Sequence, residues 1–113
     1  MTVSAEFLNT AIAALGDVNS YLDPVRQADI RQVRYFAQYE PTSWQLESTG
    51  TESHQILLGL YASEPKPTII IFESSLRRLA SRVGDLYSVV KDTLDHEINQ
   101  HYFGLNHSVK EAT

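Results

Sequence analysis

Apolar residues recur on two different periods along this chain, and the changes of period mark out its elements. Phe7, Leu8, Ala11, Ile12 and Leu15 lie three and four residues apart, which is one face of an α-helix. Ser4 is placed to cap its start and Gly16 to stop it. "NSYLDP" reads as a turn, and residues 26 to 32 extend as a short polar helix. From Val33 the period becomes two: Val33, Tyr35, Ala37 and Tyr39 alternate with more polar neighbours, interrupted by Phe36 and ended by Pro41. "PTSWQLESTGTES" has the composition of a loop, with Trp44 and Leu46 placed to fold back on the core. "HQILLGLYAS" and "PTIIIFES" are a second and a third strand, and the prolines of "SEPKP" between them block ladder pairing. Three successive isoleucines are too apolar for a strand with one wet face, so the third strand belongs in the centre of the sheet or under helices. Gly59 marks a bulge, a close backbone approach, or simply a crowded core.

The helical period then returns. Ser74 or Ser75 caps a short helix through Leu76, Leu79 and Val83, stopped by Gly84. Asp85 opens the last helix, whose stripe is Leu86, Val89, Val90, Leu94 and Ile98. It runs into "HYFG" and stops at Gly104. The order of helix, strands and helices predicts a single α+β domain spanning residues 1–113.

Composition narrows the function. The chain has 113 residues, 42% of them hydrophobic, enough for one core and not for two. Its formal charge of −5 argues against nucleic acid as a partner, since such surfaces are basic. Arg77, Arg78 and Arg82 read as a solvated helix face. The absence of cysteine removes disulfides, thiolate metal sites and cysteine nucleophiles. No run approaches the ~20 apolar residues of a membrane span. The N-terminus has no basic region before an apolar run, so a cytoplasmic location without membrane contact is expected.

The candidate chemistry lies in "TLDHEINQHYFGLNH", residues 93 to 107. Histidines four apart on a helix are rotated by only about 40° and can share one zinc ion. A glutamate directly after the first can act as general base toward zinc-bound water. Here His96-Glu97 supplies the first ligand and the base, and His101, Gly104 and His107 follow as H-x-x-G-x-x-H. The join is irregular: His96 and His101 are five apart and diverge by roughly 140° on a regular helix. A single-turn π-bulge would bring them to one face. On a regular helix the in-phase pairs are instead His96 with Gln100 and Glu97 with His101. Then Glu97, His101 and His107 form the ligand set and the base is missing. His54, outside the cluster, reads as a strand-end surface residue. Tyr102 and Phe103 read as packing residues. Asp92 and Asp95 solvate the exposed helix face or orient an imidazole.

The blocks "ILLGLYASEPKPTIIIFESSLRRLA" and "LYSVVKDTLDHEINQHYFGL" resemble, in order, those of the small bacterial zincin-like metallopeptidases, the minimal zincins. The similarity covers residues 56 to 107 and is weaker before them. It implies a zincin-like fold, a small mixed sheet packed against helices, with peptide lying along an edge strand. It also implies one Zn2+ per chain held by His96, His101 and His107, with Glu97 as catalytic base. The departure is one extra residue: Ile98, Asn99 and Gln100 separate Glu97 from His101 where the family has two. A different alignment places Gln100, a poor zinc ligand, at the second ligand position. Two functions follow from this. One is a zinc-dependent metallopeptidase acting on a peptide or protein substrate. The other is a catalytically degenerate zincin-fold protein acting as a binding module. Oligomeric state has no signal in the sequence.

Overall fold

A computed structural model describes residues 1–102 and 106–112 of the chain. Among the described residues, five helices and four strands follow one another as α1 (Ala5–Ser20), α2 (Pro24–Ile30), β1 (Arg34–Gln38), α3 (Ser43–Ser48), β2 (Gln55–Ala62), β3 (Thr68–Phe72), α4 (Glu73–Val83), α5 (Leu86–His101) and β4 (His107–Ala112). The strands form one mixed sheet in the order β1-β3-β2-β4. β3 lies parallel to β1 and antiparallel to β2, and β4 is antiparallel to β2. The α+β class is as expected, and so is the interior place of the isoleucine strand. Ile69 and Ile71 join the core cluster under the helices, while Ile70 alternates to the other face.

α1 packs along α5 and buries Phe7, Ala14 and Val18 in the same cluster as Val90, Leu94 and Ile98. Ser4 caps α1 as expected, its hydroxyl accepting from the Phe7 N–H at 3.1 Å. Gly16 does not stop the helix. α1 continues to Ser20 because Val18, 2% exposed, is buried one turn further on. That burial outweighs the roughly 1 kcal/mol that an interior glycine costs.

Other expectations are corrected. Residues 43–48 are not loop: Thr42 and Gln45 cap each other's backbone N–H groups, a reciprocal box that starts α3. Trp44 on this helix does not fold back but stays 75% exposed. α4 begins at Glu73 with no side-chain cap, so neither Ser74 nor Ser75 fills that role. Glu73 is itself buried. It accepts from the Ser4 N–H, the Ser4 hydroxyl and Arg77 Nε, each at 2.8 Å, and so ties α1 to α4. Burial alone would push its carboxyl up, but the bonds from Ser4 and Arg77 hold it below the usual value. Arg77 is therefore a structural partner rather than only part of a solvated face. Gly84 ends α4 at φ 96°, the left-handed stop the sequence announced. Gly104, expected to end α5, lies outside the described residues, as does Phe103.

Gly59 meets all three expectations: a bulge, a close backbone approach and a crowded core. The β2–β4 register shifts between Leu57 and Gly59, so one extra residue is accommodated there as a bulge. A Cβ at Gly59 would also lie 3.0 Å from Thr93 Cγ2 on α5 and 3.2 Å from the Ile70 carbonyl oxygen. Gly59→Val should therefore destabilise by about 2 kcal/mol through overpacking, read from denaturant unfolding. The bulge changes which side chains face the helices. Before it Ile56 and Leu58 do so; after it Tyr61 does, and all three are in the core cluster.

Candidate functional site

α5 is an α-helix from Leu86 to His101, closed by the Tyr102 N–H, which donates to the Asn99 and Gln100 carbonyl oxygens. It contains no π-bulge. His96 and His101 therefore diverge by about 140°, and the expected convergence of three imidazoles does not occur. The apolar stripe at Val89, Val90, Leu94 and Ile98 fixes the helix rotation, because all four are buried. Inserting a residue into that stripe would turn Ile98 away from the core.

His96 and His107 meet. Their Nε2 atoms are 3.3 Å apart and their ring centroids 4.6 Å apart. His107 is the first residue of β4 and stands opposite Tyr61 on β2, so both point from the sheet toward α5. The strand itself was not legible beforehand: "NHSVKEA" has one β-branched apolar residue, and its pairing with β2 comes from the sheet, not from local propensity. Behind His107 lies Glu97, fully buried, with Oε1 3.5 Å from His107 Nδ1 and Oε2 without a hydrogen-bond partner among the described residues. Burial pushes the Glu97 carboxyl up to about 8. Burial, followed by the neighbouring His96 and Lys110, pulls the His107 imidazole below its usual value. At neutral pH the metal-free pair is thus a protonated carboxyl beside a neutral ring.

His101 belongs to a different set. Its Nδ1 is 3.0 Å from the Tyr61 hydroxyl, and its Nε2 is 3.3 Å from Asp29 Oδ1 on α2, at ion-pair distance but outside hydrogen-bond geometry. The ring is 10% exposed and sits edge-on to Tyr61. The Tyr61 contact ties the end of α5 to β2, and Asp29 sets α2 beside it. Tyr61 had no signal as a site residue, because the bulge at Gly59 shifts the alternation of β2 and carries Tyr61 inward; Asp29 had none because its approach to His101 is set by the packing of α2. A strict two-residue period through Ile56 and Leu58 puts Leu60 there instead. His54 is exposed, as expected, with Glu52 at 3.4 Å. Asp92 lines the same depression as His96, together with Glu111 of β4. Tyr102 lies against His101 and under the Arg26 guanidinium, 5.2 Å from its ring centre.

Among the described residues, no group of three or more His, Cys, Asp or Glu is arranged to hold a metal ion. The three-imidazole set is therefore not assembled, since His101 is turned away. The Nε2–Nε2 distance of His96 and His107 equals that of two nitrogens at zinc-bond length in a tetrahedral shell, about 3.3 Å. Glu97 against Nδ1 of His107 is the kind of partner that sets which ring nitrogen faces the metal. No protein-family model matches the chain, and no curated protein matches it. No helix among the described residues is long and apolar enough to cross a membrane.

Proposed function

We propose that this is a catalytically degenerate zincin-like protein. It keeps a two-imidazole centre at His96 and His107 that takes one zinc ion per chain, and it works by binding a peptide or protein rather than by cutting it. The observation that carries this is the division of the histidines. His96 and His107 stand at ligand spacing, while His101 is held by Tyr61 and Asp29 on another side of α5. A catalytic zinc normally has three protein ligands and one open position; two ligands hold it more weakly and leave two positions open. Bound there, the metal would offer Lewis acidity to an incoming carbonyl or carboxylate. β4, an edge strand that begins with His107, offers backbone groups to an extended peptide beside the centre.

One observation favours the peptidase reading instead: the unpartnered Oε2 of Glu97, a carboxyl oxygen next to His107 with a raised affinity for protons. The two readings separate in one set of titrations. Zinc affinity is measured by competition with a chromophoric chelator, alongside cleavage of a mixed peptide library at saturating zinc. His96→Ala and His107→Ala should each weaken zinc at least ~10-fold, and His101→Ala should change it less than ~3-fold, with no cleavage by the parent. Zinc-dependent cleavage that Glu97→Gln abolishes would establish the peptidase. Zinc loss in His101→Ala would sink the two-imidazole centre.

A further inference from the structure

We propose that β1, at the end of the sheet opposite the histidines, is the interface of a two-fold dimer, formed by antiparallel pairing of this strand with the same strand of a second copy about Phe36. β1 is an edge strand, and its ladder with β3 decides which of its backbone groups are used. The Arg34 N–H donates to Pro67 O at 2.8 Å, so residues 34, 36 and 38 face β3. The N–H and C=O groups of Tyr35 and Ala37 are turned outward. They are symmetric about Phe36. In a two-fold antiparallel pair, Tyr35 of one copy exchanges both backbone bonds with Ala37 of the other, and all four outward groups on each strand are satisfied. Phe36 then stands opposite itself in the closer, non-hydrogen-bonded kind of pair, where side chains of neighbouring strands touch most fully.

The side chains favour a second copy in this orientation. Phe36 is 47% exposed, an aromatic residue on the face of the sheet that Ile70 shares, opposite Ile69 and Ile71. On the helix side, Tyr35 and Ala37 form an apolar groove with Leu8, Ala11 and Ile12 of α1; Leu8 is 42% and Ile12 68% exposed. Charge also selects the antiparallel sense. Arg34 opens the strand, so antiparallel self-pairing sets Arg34 of one copy across from the neutral Gln38 of the other. Parallel pairing would set Arg34 against Arg34. Within β1 there is no proline and no further charge to discourage pairing. β4, the other edge, carries Lys110 and Glu111. Two-fold pairing through β1 is self-complementary and closes: it yields one eight-stranded sheet with β4 at each end, not a chain of sheets.

The test is the oligomeric state of the full chain by sedimentation equilibrium, with a cysteine probe. The parent should sediment at about twice 12.7 kDa. Ala37→Pro removes an outward N–H at an edge position where proline is tolerated. Phe36→Glu places like charges face to face. Each should raise the dimer dissociation constant at least ~30-fold with the circular dichroism spectrum unchanged. The chain has no cysteine, so Phe36→Cys should form one disulfide-linked dimer on mild oxidation, while Trp44→Cys, also exposed, should not. A monomeric parent, open-ended association, or equal crosslinking at residues 36 and 44 would overturn the proposal.

Discussion

Between pH 5 and pH 8 the metal-free protein is expected to lose roughly 3 kcal/mol of unfolding free energy, and Glu97→Gln to remove most of that loss. The cause is the burial of Glu97, which has no exposed surface and whose carboxyl holds its proton up to about 8. The unfolded chain releases that proton near an ordinary carboxyl value, about 4.5. In the interval the folded state binds more protons than the unfolded one, so stability falls as pH rises. The contribution is complete below the unfolded value and gone once pH has passed the folded one. His107 acts with the opposite sign. Its folded value is lowered, so its contribution is present above the unfolded value and is lost as pH falls. His107 is partly exposed and Glu97 is not, so Glu97 dominates the slope. Urea unfolding at pH 5, 6.5 and 8 in a chelating buffer measures it. A parent whose stability is flat across this range would show that Glu97 finds solvent or a cation that the fold denies it.

Phe7→Ala is expected to cost about 3–5 kcal/mol and to lower the melting temperature by more than about 10 °C. Phe7 is wholly buried at the start of α1, in the cluster that includes Val90 and Leu94 of α5. Truncation removes the ring from water-free surroundings and leaves a cavity between two helices held in place by other contacts. The Ser4 hydroxyl cap and the Glu73 network fix the start of α1, so the helix has little freedom to collapse into the space. Val25→Ala, at a side chain 78% exposed, is the matched control and should stay within about 0.5 kcal/mol. Thermal unfolding followed by calorimetry distinguishes the two.

The regular elements were legible wherever a period continued long enough to bury a face. α1, the isoleucine strand and α5 announced themselves through their periods: Phe7, Ile69, Ile71, Val89, Val90, Leu94 and Ile98 are in the core, while Leu8 and Ile12 of α1 stay exposed. What misled was punctuation. Gly16 resembles a stop, yet burial of Val18 carries α1 through it. α3 was hidden because a reciprocal Thr42–Gln45 cap builds a helix in a segment rich in loop-forming residues. β4 was hidden because edge strands need little apolar surface. The candidate site was half legible: His96, Glu97 and His107 come together, and the sequence named all three. The place of His101 depends on two features with no local signature. One is the core stripe that keeps α5 regular; the other is the bulge at Gly59 that turns Tyr61 inward to meet the imidazole. Each is set by packing between distant segments.

The most direct measurement is a zinc titration followed on the ring nitrogens of the four histidines by nuclear magnetic resonance. Nε2 of His96 and of His107 should shift together and saturate at one ion per chain, His107 keeping its Nδ1 proton toward Glu97, while His101 and His54 stay where they were. If the His101 ring shifts in step with His96, the division of the histidines between two sides of α5 is wrong.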